Sequence, residues 1–227
     1  MQFVIFISVV LGVWALQHLY VGWRVATLPP FAPGPARWAL LGALAVGFAA
    51  YPLGRILFSA GRYGLGRVLE YSGAVWMGAL FLLFFALLAV DLVTLGGLLL
   101  EPLVGPLRTT AAVVALLAAA AAWWGGLEVP RIVRENVVVP GLSDQADGLT
   151  IAHLSDLHLG TILGDDHLRR VVELVDGLAP DVVVVTGDLL DGDAGVVERL
   201  LPRLRTLRAP GGVLAVLGNH EYYAGRD

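Results

Sequence analysis

The sequence contains no cysteine and, among its 15 basic residues, no lysine. Without thiols there can be no disulfide framework, no thiolate metal site and no cysteine nucleophile. Charge is scarce as well: 15% of residues are charged and the formal net charge is −4. No long basic run and no basic–aromatic patch is present, so nothing signals nucleic-acid binding. The exclusive use of arginine, in a chain rich in Ala, Gly, Leu and Val, reads as a coding bias. What the chain does have is apolar surface. It is 57% hydrophobic with a mean hydropathy of +0.77, beyond the range of an ordinary soluble domain. The excess lies before residue 128.

Four apolar segments fill residues 1–127: Phe3–Trp23, Trp38 to about Phe58, Tyr71–Leu100 and Thr109–Leu127. Roughly 20 apolar residues span the hydrocarbon layer as a helix, so the pattern predicts a multi-pass, all-α transmembrane bundle of four helices in the lipid bilayer. Trp23, Trp38, Trp123 and Trp124 sit near segment ends, as interfacial aromatics do. Pro29, Pro30, Pro33 and Pro35 mark the first loop, and Pro102 and Pro106 the third. The first segment lacks the charged leader of a signal peptide and is read as a retained helix. Four crossings put the N-terminus, the 55–70 loop and the segment after residue 128 on one side. That side carries Arg55, Arg62, Arg67, Arg131 and Arg134, against Arg24, Arg37 and Arg108 on the other. The excess favours a cytoplasmic C-terminal domain. Asp91 is read as an interfacial carboxylate just past a helix ending near Val90, and His18 as a helix-end imidazole at headgroup level. Gly42, Ala45, Ala49, Gly73 and Gly78 are the small residues that would let helices approach closely.

Composition changes at Glu128, which opens a second domain at 128–227. Residues 131–139 read as an extended segment closed by Pro140-Gly141. Leu149–Leu154, Asp181–Thr186 and Val213–Leu217 read as buried strands, the second buried on both faces as in a parallel sheet. Helices are predicted from about Asp166 to Leu178 and from about Gly195 to Arg208. The first has Leu168, Val171, Val172, Leu174 and Val175 on its apolar side. The second has Val196, Val197, Leu200, Leu201, Leu204 and Leu207, with Pro202 expected to kink or shorten it. Alternation of strand and helix predicts an α/β domain with right-handed parallel crossovers.

Each strand ends in a cluster of polar residues: Asp156 and His158, then Asp188 and Asp191, then Asn219 and His220. Open α/β sheets place their sites at such strand ends. In an extended strand end, Asp156 and His158 would point the same way and reach one cation. Asp188 arrives from the neighbouring strand, and a carboxylate can bridge two cations. Asn219 offers an amide oxygen. Oxygen and imidazole donors suit a divalent metal such as Mn, Fe or Zn. The set suggests part of a dinuclear centre, whose ions lie about 3.5–4 Å apart in phosphoryl hydrolases.

In order, Asp156-Leu-His158, Gly187-Asp-Leu-Leu-Asp191 and Gly218-Asn-His-Glu221 resemble three signature blocks of the calcineurin-like metallophosphoesterases. The flanks of the first, Ala152–Gly160, are similar to the bacterial membrane-associated branch. The resemblance implies a metal-dependent phosphoric ester hydrolase acting on phosphomonoesters or phosphodiesters through two divalent ions. Asp156 and His158 would then bind the first metal, Asp188 would bridge both, and Asn219 would bind the second. His220 would serve as general acid or phosphate donor, and Asp191 would orient its ring. The family carries further histidines after the Asn-His block, whereas no His follows His220 here. The expected domain is therefore incomplete, apparently truncated after the Gly-Asn-His-Glu block.

The remaining polar residues receive ordinary assignments. His153 is expected to be packed or hydrogen-bonded and His167 solvated. Asp165 and Asp166 are helix caps, Asp193 a loop or cap residue, Glu221 structural, and Asp144 and Asp147 solvated loop. Two alternatives to the enzyme stand beside it: a truncated, catalytically impaired membrane-anchored binding or regulatory protein, and a transporter or membrane scaffold with a regulatory appendage.

Overall fold

A computed structural model of the chain describes residues 2–31, 34–191 and 194–223. Pro33 and Asp193, singled out in the sequence, lie outside the described residues, as do the side chains of Val196 and Val197. The chain divides into two compact units, Met1–Gly126 and Leu127–Asp227.

The first unit contains four helices, each long and apolar enough to cross a membrane: α1 (Gln2–Val25), α2 (Pro35–Ser59), α3 (Tyr63–Val93) and α4 (Glu101–Gly126). All four expected segments are helical, but their bounds shift. The third begins eight residues before Tyr71 and stops at Val93, where a 3₁₀ turn (Leu95–Gly97) with left-handed Leu95 and Gly96 interrupts the apolar run. Pro102 and Pro106 belong to α4 and not to a loop. Pro102, the second residue of α4, costs little because the first N–H groups lack intrahelical partners anyway, whereas Pro106 lies inside the helix and removes one backbone hydrogen bond. Pro52 likewise sits inside an unbroken α2.

Close packing of α2 on α3 depends on glycine. A Cβ on Gly54 would meet the backbone of Glu70, one on Gly66 the backbone of Phe58, and one on Gly73 the backbone of Tyr51. Among the small residues expected at helix contacts, Gly73 is at one; Gly42 and Gly78 face open space. Leu80, Leu83 and Leu87 of α3 form the centre of the core with Val21, Leu28, Ala112 and Ala115.

Two polar residues depart from expectation. Asp91 is buried within the last turn of α3 and is not an interfacial residue past its end. Its carboxylate accepts hydrogen bonds from Arg108 Nε and Nη2 at 3.0 and 2.8 Å and from the Tyr20 hydroxyl, and lies 2.6 Å from Arg24 Nε. His18 is also buried: Trp14 lends its carbonyl to Nδ1 at 2.8 Å, and Trp76 Nε1 lies 2.9 Å from Nε2. In apolar surroundings a polar side chain is stable only when partnered, and both found partners on other turns or helices.

The second unit holds a three-stranded parallel sheet of β1 (Ile151–Leu154), β3 (Val182–Thr186) and β5 (Val213–Val216), in the order β1–β3–β5. Helix α5 (Asp165–Leu178) joins β1 to β3, helix α6 (Ala194–Leu204) joins β3 to β5, and the two helices pack together. The α5 stripe is as expected, with Leu168, Val171, Val172 and Val175 buried. His167 is buried beside them and is not solvated. On β3 only Val183 and Val185 are fully buried; Val182 and Val184 are half-buried, so one face is better covered than the other. Pro202 lies inside α6, which ends two residues later. Residues 131–139 form no strand and are exposed.

Candidate metal centre

Because the three strands are parallel, their C-terminal ends share one edge, and the chain leaves each end through a polar loop. The first two loops are knitted together by backbone hydrogen bonds. Asp156 N–H donates to Gly187 O, His158 N–H to Asp188 O at 2.9 Å and Leu159 N–H to Leu189 O at 2.9 Å. Two short parallel strands, β2 (Leu159–Gly160) and β4 (Leu190–Asp191), continue this pairing. The second and third loops touch at glycines. Gly187 has φ +95°, and a Cβ there would lie 2.8 Å from Gly218 Cα, so only glycine at this pair lets Asp188 and Asn219 leave the sheet side by side.

The backbone is left-handed at three of the expected ligands: Asp156 (φ 53°), His158 (φ 43°) and Asp188 (φ 49°). Non-glycine residues rarely adopt this conformation, and when the surrounding structure enforces it the site is usually functional. It also replaces the expectation of an extended Asp156–His158 end. Once both residues turn left-handed, strand alternation no longer sets the direction of their side chains.

His158, Asp188 and His220 come together, each offering a ligand atom within 4.8 Å of the others. The imidazole rings of His158 and His220 meet edge to face with centroids 4.5 Å apart. His220 Nδ1 lies 3.4 Å from Asp191 Oδ1, and the His220 N–H donates to Asp188 Oδ1 at 2.9 Å. Asp156 stands outside this trio; its carboxylate is exposed and accepts from the Ser155 hydroxyl. Asn219 opens the short helix α7 (Asn219–Tyr223) and is exposed. Two imidazoles and a carboxylate at this separation match the donors a divalent cation takes, so the residues present fit a metal. His153 lies outside the group, with Nε2 2.7 Å from Thr186 Oγ1.

Glu221 does more than the sequence suggested. Its carboxylate accepts three backbone N–H groups: Gly218 at 2.7 Å, Leu190 at 2.9 Å and Asp188 at 3.1 Å. Burial alone would raise its pKa, but these backbone donors outweigh burial and hold it below the ordinary carboxylate value. One side chain thus ties the second loop to the third. The signal was present in the sequence only as an acidic residue after Asn-His, which has no meaning until the loops are adjacent.

The second unit is similar in sequence to known proteins. Residues 149–227 match the family model of calcineurin-like phosphoesterases. A transmembrane protein with metallophosphoesterase domain from Danio rerio is 36% identical over 94 residues, 41% of this chain and 22% of that protein. An uncharacterized metallophosphoesterase from Aquifex aeolicus is 40% identical over 77 residues, 34% of this chain and 30% of that protein. The UDP-2,3-diacylglucosamine pyrophosphatase LpxG of Chlamydia trachomatis is 39% identical over 100 residues, 43% of this chain and 30% of that protein. The chain therefore spans less than a third of each of these curated relatives. No solved structure matches it. The chain thus joins four helices long and apolar enough to cross a membrane to a segment that matches calcineurin-like phosphoesterases.

Proposed function

We propose that this chain is a membrane-anchored metal-dependent phosphoric ester hydrolase, with residues 1–127 as the transmembrane region and 128–227 in the catalytic domain. The observation that carries the reading is the convergence of His158, Asp188 and His220 on loops with left-handed backbone. In this reading His158 and Asp188, with Asp156 and Asn219 from the adjacent loops, would hold two divalent cations. Bound there, the ions would supply Lewis-acid stabilisation of charge on a phosphoryl group. His220, oriented through Asp191, donates a proton to the leaving oxygen of a phosphomonoester or phosphodiester. The similarity to a pyrophosphatase of a diacylated sugar nucleotide supports a substrate whose phosphate is carried on a lipid. The arginine distribution, five against three, favours the cytoplasmic side for the catalytic domain.

The test uses the full chain in detergent. Elemental analysis should find two equivalents of bound metal, and added Mn²⁺ should support hydrolysis of bis-p-nitrophenyl phosphate. His220→Ala should retain the metal and slow hydrolysis by roughly 10²–10⁴-fold, the usual contribution of a positioned acid. Loss of metal in that variant would make His220 a ligand. One equivalent of metal without turnover would instead favour a phosphate-binding or regulatory protein.

A further inference from the structure

The membrane unit contains a groove of about 580 Å³ between α1 and α2. Its floor and walls are apolar along most of their length, with Ala15 and Leu19 of α1 facing Leu41, Leu44 and Phe48 of α2. The lining residues of the α1 side run from Ala15 to Ala26, a rise of about 16 Å at 1.5 Å per residue, roughly the length of a twelve-carbon chain. Gly22 lets Leu44 of α2 approach α1 at the base of the groove: a Cβ there would lie 2.7 Å from Leu44 Cδ1.

The end of the groove nearest the α1–α2 loop is chemically different. Arg37 lines it, alongside Trp23. Arg37 sits in the first turn of α2, where the helix dipole is already positive and no acidic residue offsets it. Among the described residues no carboxylate pairs with Arg37. The nearby buried cluster does not supply an anion either, because Asp91 is shared by two arginines, Arg24 and Arg108. A basic side chain at a positive helix end, beside an open apolar groove, suits an anion attached to a hydrocarbon chain.

We propose that the α1–α2 groove is a binding site for one anionic phospholipid, whose acyl chain lies along Ala15, Leu19, Leu41 and Phe48 and whose phosphate is held by Arg37. The occupant comes from the bilayer itself. Its negative charge completes the first turn of α2, and its chain fills a channel that the side chains leave open.

The experiment is native mass spectrometry of the full chain released from nanodiscs containing equal amounts of phosphatidylglycerol and phosphatidylcholine. The wild type should retain one phosphatidylglycerol, with at least a five-fold preference over phosphatidylcholine. Arg37→Gln should retain a lipid but lose the preference. Arg67→Gln, whose arginine lies on α3 away from the groove, should keep the preference. Ala45→Trp, which fills the groove from α2, should retain no lipid while keeping wild-type helix content by circular dichroism. Three results would overturn the proposal: no retained lipid in the wild type, an unchanged preference in Arg37→Gln, or an equal loss in Arg67→Gln. If Ala45→Trp fails to fold, Leu19→Trp tests the same channel from α1, and full retention in a folded variant would also overturn it.

Discussion

Glu221 Oε2 accepts the backbone N–H of Asp188 at 3.1 Å and that of Gly218 at 2.7 Å, so one oxygen joins the two loops that carry Asp188 and Asn219. The other oxygen reaches Leu190 N–H. The position of Asp188 is therefore set by a residue that has no reason to touch a metal or a substrate. Glutamine at 221 would keep the shape but turn an NH₂ group toward backbone donors. Glu221→Gln should weaken metal affinity by about 10-fold, within the range seen when supporting groups of a metal site are removed. Isothermal titration with Mn²⁺ checks this. An unchanged affinity would mean that the loops hold their places without the clamp.

Asp188 is the only carboxylate in the compact trio, and its Oδ1 also fixes the His220 backbone. Asp188→Asn removes the negative charge while keeping a hydrogen-bond acceptor for that N–H. The variant should keep the fold of the loop and lose dinuclear metal binding. Elemental analysis beside the wild type decides the matter, and equal stoichiometry would end the bridging assignment.

How much of this was legible in the sequence depended on whether a feature is local. The α5 stripe and the strand–helix alternation are periodic patterns, and both are present in the fold. So are the four apolar helices, because length and hydropathy suffice to call for them. Backbone handedness at Asp156, His158 and Asp188 is not periodic; it follows from the pairing of the 156–159 loop with residues 187–189, which no stretch of sequence displays. The burial of His167 was missed because an imidazole in a first turn next to two aspartates looks solvated, until α6 packs beside it. Asp91 was misread for the same reason. Its partners lie on α1 and α4, far away along the chain.

His167 gives a prediction about pH. Burial first, and then the charge of Arg170, push its pKa below the ordinary value near 6.5, and its Nδ1 is buried without a hydrogen-bond partner. A depressed histidine pKa means that the unfolded chain binds the proton more readily than the folded one. The penalty is absent well above pH 6.5, grows as pH falls through that value, and levels off below the folded-state pKa. Protection of α5 amides from hydrogen exchange, corrected for intrinsic rates, should decline in that window in the wild type. In His167→Gln the decline should be smaller. Parallel curves for the two proteins would mean that another group controls acid loss in this unit.

Asp91 permits a sharper contrast inside the membrane unit, because a second acidic residue there serves as its control. Asp91 is buried between Arg24 and Arg108, whose side chains are themselves about nine-tenths buried. Removing its charge would leave two arginines unbalanced in an apolar setting. Breaking a buried pair from one side typically costs about 3–5 kcal/mol, most of it the penalty of the stranded charge. Glu70 is buried as well, but its partner Arg55 lies 3.0 Å away with more than half of its side chain exposed, so losing the pair strands no guanidinium in the interior. That loss should stay below about 1 kcal/mol. Asp91→Asn should therefore unfold the bundle at much lower SDS mole fraction than wild type, with Glu70→Gln close to wild type, as followed by tryptophan fluorescence. Equal shifts in the two variants would show that the α1–α3–α4 ion cluster does not brace the helices.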